Sequence, residues 1–193
     1  MLIVHPQNPQ ERFIHQAVKV LQKGGVIVYP TDSGYALGCA LDNKEGVDRI
    51  RQIRQLDKNH NFTLICKDLS ELSQYAQIDT VIFRLLKAHT PGAYTFIMNA
   101  TKEVPKRLQH PKRKTIGLRI PDNKITRALL DVLNAPILSV SLILPDQERL
   151  EKQVDLIIDG GHCDVEPSTV VDLTQFPPVI IRLGKGDPSV FSR

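Results

Sequence analysis

The sequence predicts an α/β fold: a single-domain, open sheet of mixed strand direction with flanking helices. Apolar residues at helical spacing alternate with short β-branched runs, which is typical of a sheet covered by helices. Several strand-like runs follow one another late in the chain, so a purely parallel sheet is not expected. No linker, repeat or low-complexity tract divides the 193 residues. We therefore expect one domain over residues 1–193, with its core in about residues 10–186.

The composition excludes several function classes. Hydrophobic residues make up 41% of the chain, which is enough for one ordinary core and argues against disorder. The formal charge of +4 suits an anionic ligand without requiring one. Aromatic residues make up only 5% and tryptophan is absent, so base-stacking platforms like those of RRM domains have little material.

The cysteines and the N-terminal segment indicate a cytoplasmic protein. Cys39, Cys66 and Cys163 are odd in number, far apart and in no Cys-x-x-Cys pair, which argues against a disulfide framework and a structural zinc site. Prolines and charges interrupt the N-terminal segment, and no stretch approaches ~20 apolar residues. The sequence therefore predicts neither secretion nor a membrane span.

The first elements lead to a candidate ligand loop. Apolar spacing predicts a helix over residues 10–23, which Gly24 and Gly25 end. Residues 26–29 are a β-branched run typical of a strand buried on both faces. Residues 30–38 combine hydroxyls, an acid and two glycines directly after that strand, and we interpret them as a loop where a ligand binds.

The next segment is predicted to carry a basic stripe. A helix is expected over residues 44–56 and a strand over residues 62–66. Arg51, Arg54 and Lys58 recur at i, i+3 and i+7, so they share one side if the helical turn persists.

Two aspartates are predicted to cap the following helices. Asp68 is followed three residues later by Glu71, as in a capping box, and Asp79 is expected to cap the next helix. That second helix should end before Pro91. Its predicted inward face consists of Val81, Ile82, Leu85 and Leu86.

The remaining chain is predicted to be rich in strands. We expect a helix over residues 124–133 and interpret residues 145–154, the least patterned stretch, as an exposed loop. The predicted strands are residues 94–98, 115–120, 137–144, 156–158, 170–173 and 179–183.

The positive charge is concentrated in residues 102–127. This segment holds nine basic and two acidic residues, a net +7, whereas the rest of the chain carries −3. One interpretation is a solvated helix face and loop, as charge runs usually are. The other is a phosphate-facing patch in which Lys112, Arg113 and Lys114 bind an RNA backbone, with an affinity that falls steeply with salt.

Common catalytic motifs do not occur in the sequence. It contains no GxxxxGK[ST], no GxGxxG after a strand, no HExxH and no GxSxG. The trio from His162 to Asp164 lacks metal-ligand spacing, and we interpret it as a turn. Hydroxyl side chains at predicted strand ends either satisfy local backbone groups or converge with Arg119 and Arg182 on one polar cleft. These hydroxyl residues are Thr31, Thr115, Ser139, Ser141, Ser168 and Thr169.

Five ordered blocks carry a resemblance to a known family. They read GGVIVYPTDSGYALGC, HTPGAYTF, KTIGLRIPDNKI, DLIIDGGHCDVEPSTVVDL and IIRLGKG. Together they resemble the YrdC-type family of threonylcarbamoyl-AMP synthases, and most closely its YciO branch. The resemblance implies a twisted, open α/β sheet around a basic concave cavity. It also implies binding of ATP with Mg²⁺, L-threonine and bicarbonate, and formation of threonylcarbamoyl-AMP and pyrophosphate on the way to threonylcarbamoyladenosine in tRNA.

The resemblance also implies roles for individual residues. Ser33, Arg119, Ser139 and Ser168 would contact the amino acid, with Arg119 pairing with the threonine carboxylate. The nucleotide would be contacted by Arg54, Thr115, Ser141 and Arg182. No covalent nucleophile is implied, because this reaction needs positioning and neutralisation of developing charge.

Two family motifs are altered in this chain. Leu56 stands where the typical Lys-x-Arg has its arginine, and Ile143 stands where the typical Ser-x-Asn has its asparagine. Each lost charged hydrogen bond costs about 1.5–3 kcal/mol, so weakened or altered synthase chemistry is expected. The ligand would then be ATP or a related adenylated small molecule. The alternatives are a non-catalytic module that binds double-stranded RNA or tRNA through the basic cavity and residues 102–127, and a fold with only a structural role.

Overall fold

A mixed β-sheet of ten strands organises the described part of the chain. The computed structural model describes residues 1–142 and 147–191, without the side chains of residues 147 and 148. The strands are β1 (Leu2–Ile3), β2 (Ile27–Thr31), β3 (Gly34–Ala40), β4 (Thr63–Ile65), β5 (Tyr94–Asn99), β6 (Thr115–Arg119), β7 (Ile137–Ser141), β8 (Leu156–Asp159), β9 (Thr169–Asp172) and β10 (Val179–Arg182).

The strand order is β1-β8-β2-β3-β7-β4-β6-β5-β9-β10. The pairs β1–β8, β2–β8, β4–β6 and β5–β9 are parallel, and the remaining neighbours are antiparallel. The prediction of an open mixed α/β sheet in a single domain is therefore confirmed.

Six α-helices flank this sheet in the described residues. They are α1 (Glu11–Gln22), α2 (Lys44–Arg54), α3 (Leu69–Tyr75), α4 (Thr80–His89), α5 (Lys124–Leu133) and α6 (Gln147–Gln153). The predicted caps form: the side chains of Asp68 and Asp79 accept hydrogen bonds from the N–H groups of Glu71 and Ile82. Glu71 completes the cap by accepting from the N–H of Lys67.

The two faces of the sheet bury different clusters. Helices α1 and α5 pack on one face, where Ile27 and Tyr29 of β2 and Ile137 of β7 join their apolar side chains. The alternate residue Val28 belongs to the larger cluster on the other face. Because β2 is buried along its whole length, the prediction of a strand covered on both faces is correct.

The prediction of a loop over residues 30–38 is wrong for most of that range. Strand β3 pairs antiparallel with β2 across the tight turn that follows Thr31. Gly34 has a φ of +111°, which suits the turn. Gly38 lies inside the strand, where a Cβ would meet Ile137 Cγ2 at 2.7 Å and Tyr29 Cε1 at 2.8 Å. Both glycines therefore serve a hairpin rather than a flexible loop.

Other boundaries also differ from the predictions. Helix α2 ends at Arg54 because Gln55 adopts a left-handed φ of 52°, so Lys58 does not continue the basic stripe. Helix α6 occupies most of the predicted exposed loop and buries Leu150. Val81, predicted to face inward on α4, is 51% exposed. The remainder of that loop, residues 145–146, lies outside the described residues.

Candidate functional site

A concave cavity of about 480 Å³ opens on the sheet beside helices α1 and α5. On β7, Ile137 packs beneath those helices, while Ser139 and Ser141 follow at period two on the same face and line the cavity. Strands β4, β5 and β6 each contribute two lining residues at the same spacing of two. The lining from the strands and their ends includes Thr31, Tyr35, Thr63, Ile65, Thr95, Ile97, Gly117, Arg119, Ser139, Ser141, Ser168, Val170, Ile181 and Arg182.

We call the buried and half-buried part of this lining on the strands the floor; it includes Thr63, Thr95, Gly117, Arg119, Ser139 and Ser168. A row of paired residues crosses it, in which Thr63 lies opposite both Ser139 and Gly117. A Cβ on Gly117 would meet Thr63 Oγ1 at 2.9 Å and the carbonyl oxygen of Phe62 at 3.2 Å. Glycine therefore keeps the floor open at its centre.

Arg119 is the buried cation of the floor, with its side chain 6% exposed. Its Nη2 forms an ion pair with Asp32, and its Nη1 donates to Ser33 Oγ at 2.6 Å. Its Nε is buried and has no hydrogen-bond partner among the described residues. Burial lowers the pKa of Arg119 to about 10, so the guanidinium stays charged at neutral pH. The floor therefore offers a fixed positive group whose Nε–H has no partner among the described residues.

Two serines of the floor are held by hydrogen bonds to neighbouring strands. Ser139 Oγ lies 2.6 Å from the hydroxyl of Tyr29, and it donates to the carbonyl oxygen of Leu37 at 3.1 Å. Ser168 Oγ lies 2.7 Å from Thr95 Oγ1. Arg182 Nη2 donates to Ser168 Oγ at 3.2 Å, which ties the last strand to the floor. These contacts fix both hydroxyls before any ligand arrives.

We call the exposed and half-buried border of the cavity the rim; it consists of Arg54, Ser141, Arg182 and the lining residues of the 57–61 loop, which lies between α2 and β4. Arg54 Nε donates to the carbonyl oxygen of Ser141 at 2.7 Å. The lining residues of the loop are Asp57, Asn59, His60 and Asn61.

His60 is the titratable base of the rim. Burial lowers its pKa below the ordinary 6.5, and the neighbouring Arg54 and Arg51 lower it further, against the opposing effect of Asp57. The imidazole is therefore neutral at pH 7 in the free protein. Ring nitrogens of a neutral imidazole supply one donor and one acceptor to the cavity border.

Comparison with known proteins identifies the family. The Sua5/YciO/YrdC family model, described as a telomere recombination family, matches residues 19–184. The chain belongs to the Sua5/YciO/YrdC family. A Haemophilus influenzae relative, described as uncharacterized, is 59% identical over 97% of both chains. YciO of Escherichia coli, also uncharacterized, is 57% identical over 97% of both chains.

Further similarity is to a synthase sequence and to two solved structures. The threonylcarbamoyl-AMP synthase of Vibrio vulnificus is 28% identical over 76% of this chain and 86% of its own. The crystal structure of Escherichia coli YciO superposes with a TM-score of 0.95, at 56% identity and 98% coverage of both chains. Sua5 of P. abyssi in complex with L-threonine has a TM-score of 0.86 at 25% identity, covering 95% of this chain and 58% of Sua5. The predicted family resemblance is thus confirmed.

The structure brings most of the site residues predicted from the family resemblance together. Arg119, Ser139, Ser168, Arg54, Ser141 and Arg182 line one cavity. Ser33 lies behind Arg119 and contacts its guanidinium. Thr115 is buried at the other end of β6, four residues before Arg119, and does not line the cavity. Its assignment to the nucleotide is therefore not supported by position.

The basic residues outside this group do not reach the cavity. Lys112, Arg113 and Lys114 are exposed in the turn before β6, and His110 Nδ1 accepts hydrogen bonds from the N–H groups of Lys112 and Arg113. Arg51 stacks over Phe62 at 4.6 Å instead of facing the cavity. The expectation that one basic surface combines the cavity with this patch is therefore not supported.

Of the two altered family positions, Leu56 and Ile143, only Leu56 lies in the described residues. Leu56 is partly buried and packs against the main core, so it does not line the cavity. Ile143 lies outside the described residues.

Several lining residues were not singled out from the sequence. Thr63, Thr95 and Gly117 lie on strands that were predicted, and their alternation with apolar residues was the available signal. The 57–61 loop gives no such signal, because its asparagines and single acid resemble an ordinary connection.

The described ranges contain neither a metal-binding cluster nor a membrane-spanning helix. No group of three or more His, Cys, Asp or Glu side chains there could hold a metal ion. Within the same ranges, no helix has the length and apolarity needed to cross a membrane. His162 and Asp164 lie at the surface, where Lys185 Nζ pairs with Asp164 at 2.8 Å. The three residues are an irregular segment and not the turn that was predicted.

Proposed function

We propose that this chain binds L-threonine on the floor and an adenine nucleotide at the rim, and that it forms threonylcarbamoyl-AMP at a rate below that of a full synthase. The product would serve threonylcarbamoyladenosine formation in tRNA. The observation that carries the proposal is Arg119, a buried guanidinium with an unpartnered Nε, on a floor of fixed hydroxyls.

The floor suits an amino acid. A carboxylate accepting from Arg119 would satisfy the buried Nε, and a charge-assisted hydrogen bond of this kind is about twice as strong as a neutral one. Ser139 Oγ donates its proton to Leu37 and can still accept from the ammonium group of an amino acid, and Ser168 adds a second hydroxyl oxygen as an acceptor. The L-threonine complex of P. abyssi Sua5, which shares this fold, supports the choice of ligand.

The rim suits the nucleotide. Arg54 and Arg182 are partly exposed cations at the cavity border, whereas the loop residues offer amide and imidazole groups for a ribose or a base. In the proposed reaction, the carbamate oxygen of N-carboxythreonine attacks the α-phosphorus of ATP. The bond between that phosphorus and the leaving pyrophosphate breaks as the new oxygen–phosphorus bond forms.

The residues of the cavity do not form a magnesium cage. Asp57 is the one acidic side chain in the described lining, and its Oδ1 already accepts from the N–H of Asn59 at 2.8 Å. We therefore assign no residue to Mg²⁺ and derive no step through it; Mg²⁺ would enter with ATP.

Pyrophosphate release tests the proposal. Purified protein with ATP, L-threonine and bicarbonate is expected to release pyrophosphate only when threonine is present, and Arg119→Ala is expected to abolish the release. Arg84→Ala, at an exposed arginine on α4, is the matched control and should keep it. A panel of other amino acids identifies the preferred substrate. No amino-acid-dependent release at high protein concentration would overturn the synthase proposal.

One observation favours a second function. Lys112, Arg113 and Lys114 are consecutive and exposed, on a turn whose backbone is held by His110. Such a fixed basic turn suits the phosphate backbone of tRNA or double-stranded RNA, and it can act independently of the cavity.

A further inference from the structure

We propose that the rim reads a nucleotide with a single phosphate, an AMP ester or acyl-adenylate, in preference to a triphosphate. This inference rests on the proposed function, because it concerns the nucleotide that enters the same cavity. Among adenine nucleotides, we expect adenylates to bind most tightly, and we expect Arg54, Arg182 and the 57–61 loop to set this preference.

The charge of the cavity is too small for a polyanion. Among the described residues, the arginines in its lining are Arg54, Arg119 and Arg182, and Asp57 opposes them with one negative charge. Arg119 is already matched by Asp32, whose side chain is 10% exposed. The lining that remains therefore carries a net charge of about one positive unit, which fits one phosphate and leaves a triphosphate with uncompensated charges.

The two remaining arginines are partly committed to the protein. Arg182 donates from both Nε and Nη2 to the carbonyl oxygen of Ser168, at 3.1 and 2.8 Å. Arg54 donates from Nε to the carbonyl oxygen of Ser141. Each side chain is thus held at the cavity wall by backbone carbonyls and keeps only part of its donor set for a ligand. This arrangement positions two separate cations rather than a cluster around a phosphate chain.

The 57–61 loop adds neutral groups where a phosphate chain would need cations. Asn59 and Asn61 line the cavity with amides, and His60 lines it with an imidazole whose pKa is lowered by burial and by Arg54 and Arg51. Asp57 contributes a carboxylate, which repels phosphates. Lys58, the lysine of this loop, is exposed and does not line the cavity. The loop therefore favours hydroxyls and a base over further phosphates.

Calorimetric titration with AMP, ADP and ATP tests this preference. The titrations use the full chain with saturating L-threonine at constant pH and ionic strength, with ATP measured both with and without Mg²⁺. We expect affinity to fall in the order AMP, ADP, ATP, with AMP about tenfold tighter than free ATP.

Two substitutions in the loop change its charge. Asp57→Asn removes a negative charge, and His60→Lys adds a positive one.

Each loop variant is expected to raise the affinity for ATP relative to AMP by about two- to fivefold, the size of one exposed charge contact. Asp48→Asn, at an exposed aspartate on α2, removes the same charge away from the cavity and should leave the ratio unchanged. Thermal unfolding of each variant confirms that the fold is kept.

The outcomes separate the two proposals. Binding of ATP as tightly as AMP or more tightly in the natural chain would overturn the preference for a single phosphate and leave the proposed function intact. A preference for AMP that neither loop variant alters would overturn the role of the 57–61 loop. Failure of every adenine nucleotide to bind in the presence of threonine would overturn the proposed function itself.

Discussion

The floor and the rim of the cavity hold their polar groups by different means. On the floor, Arg119 and Ser139 lie on central strands, are almost completely buried and bond to Asp32, Ser33 and Tyr29. At the rim, Asp57 and Asn61 are exposed on a connection between a helix and a strand. The floor is therefore built into the sheet and its cores, while the rim depends on a loop with few buried contacts.

This difference separates stability from specificity. A change on the floor removes a buried hydrogen bond or ion pair and so affects both ligand binding and the free energy of unfolding. A change at the rim affects the nucleotide while leaving the fold almost unaltered. The chain can therefore keep an amino-acid site of the family type and vary the nucleotide that it accepts.

The largest effect is expected from Arg119→Ala. This substitution leaves the buried carboxylate of Asp32 without its cation, which costs about 3–5 kcal/mol of unfolding free energy, and it removes the charged contact proposed for threonine. Chemical denaturation and threonine titration measure the two losses. Arg119→Lys keeps a charge near Asp32 but loses the fork geometry, so it should recover part of the stability and little of the threonine affinity. An unfolding free energy unchanged by Arg119→Ala would contradict the account of the floor.

A matched pair of serines compares floor and rim on one strand. Ser139 and Ser141 lie two residues apart on the same face of β7, but Ser139 is buried against Tyr29 whereas Ser141 is exposed. Ser139→Ala is expected to cost about 1–2 kcal/mol of unfolding free energy, and Ser141→Ala less than about 0.5 kcal/mol. Urea denaturation measures both. Equal losses at the two positions would remove the distinction between floor and rim.

A smaller effect is expected from pH on the affinity for AMP, through the protonation of His60. The pKa of His60 lies below 6.5 in the free protein. The negative charge of a phosphate bound elsewhere in the same cavity would raise this pKa, so binding takes up a proton between the two pKa values. Affinity for AMP should therefore increase, by about two- to fivefold, as the pH falls from about 7.5 to about 6. The groups around His60 that oppose or assist this uptake are Arg51, Arg54 and Asp57. Calorimetry in two buffers of different ionisation enthalpy measures the proton, and His60→Gln should flatten the pH profile.

The smallest effect on ligand affinity in the cavity is expected from the basic turn formed by Lys112, Arg113 and Lys114. Changing Lys112, Arg113 and Lys114 together to alanine should leave threonine and AMP affinities within about twofold, because the three side chains lie outside the lining. If the turn binds RNA, the same variant should lower the salt dependence of tRNA or duplex binding by about two to three units of slope. An unchanged slope would remove the turn from any RNA function.

Much of this arrangement could be predicted from the sequence. Apolar periodicity correctly indicated α1, α5 and most strands, and the ordered motif blocks indicated the family and the convergence of Arg119 with Ser139. Strand β3 was missed because its glycines were interpreted as loop residues. In fact, Gly38 is required where Tyr29 and Ile137 approach the backbone, a tertiary contact that local pattern does not record.

The contents of the rim were harder to predict for a different reason. The 57–61 loop has neither periodicity nor a motif, and its position is set by the end of α2 at Arg54 and the start of β4. The ion pair between Arg119 and Asp32 was also not predicted, since it joins residues far apart in the chain. Both features depend on how the sheet brings distant segments together.

Titration of L-threonine into protein saturated with AMP tests most directly whether floor and rim are separate subsites of one cavity. The account predicts that threonine binds at least as tightly with AMP present as without it, because the amino acid contacts Arg119 and Ser139 while AMP contacts the rim. A weakening of threonine binding by tenfold or more on addition of AMP would mean that AMP also occupies the floor, and would contradict the account of two separate subsites.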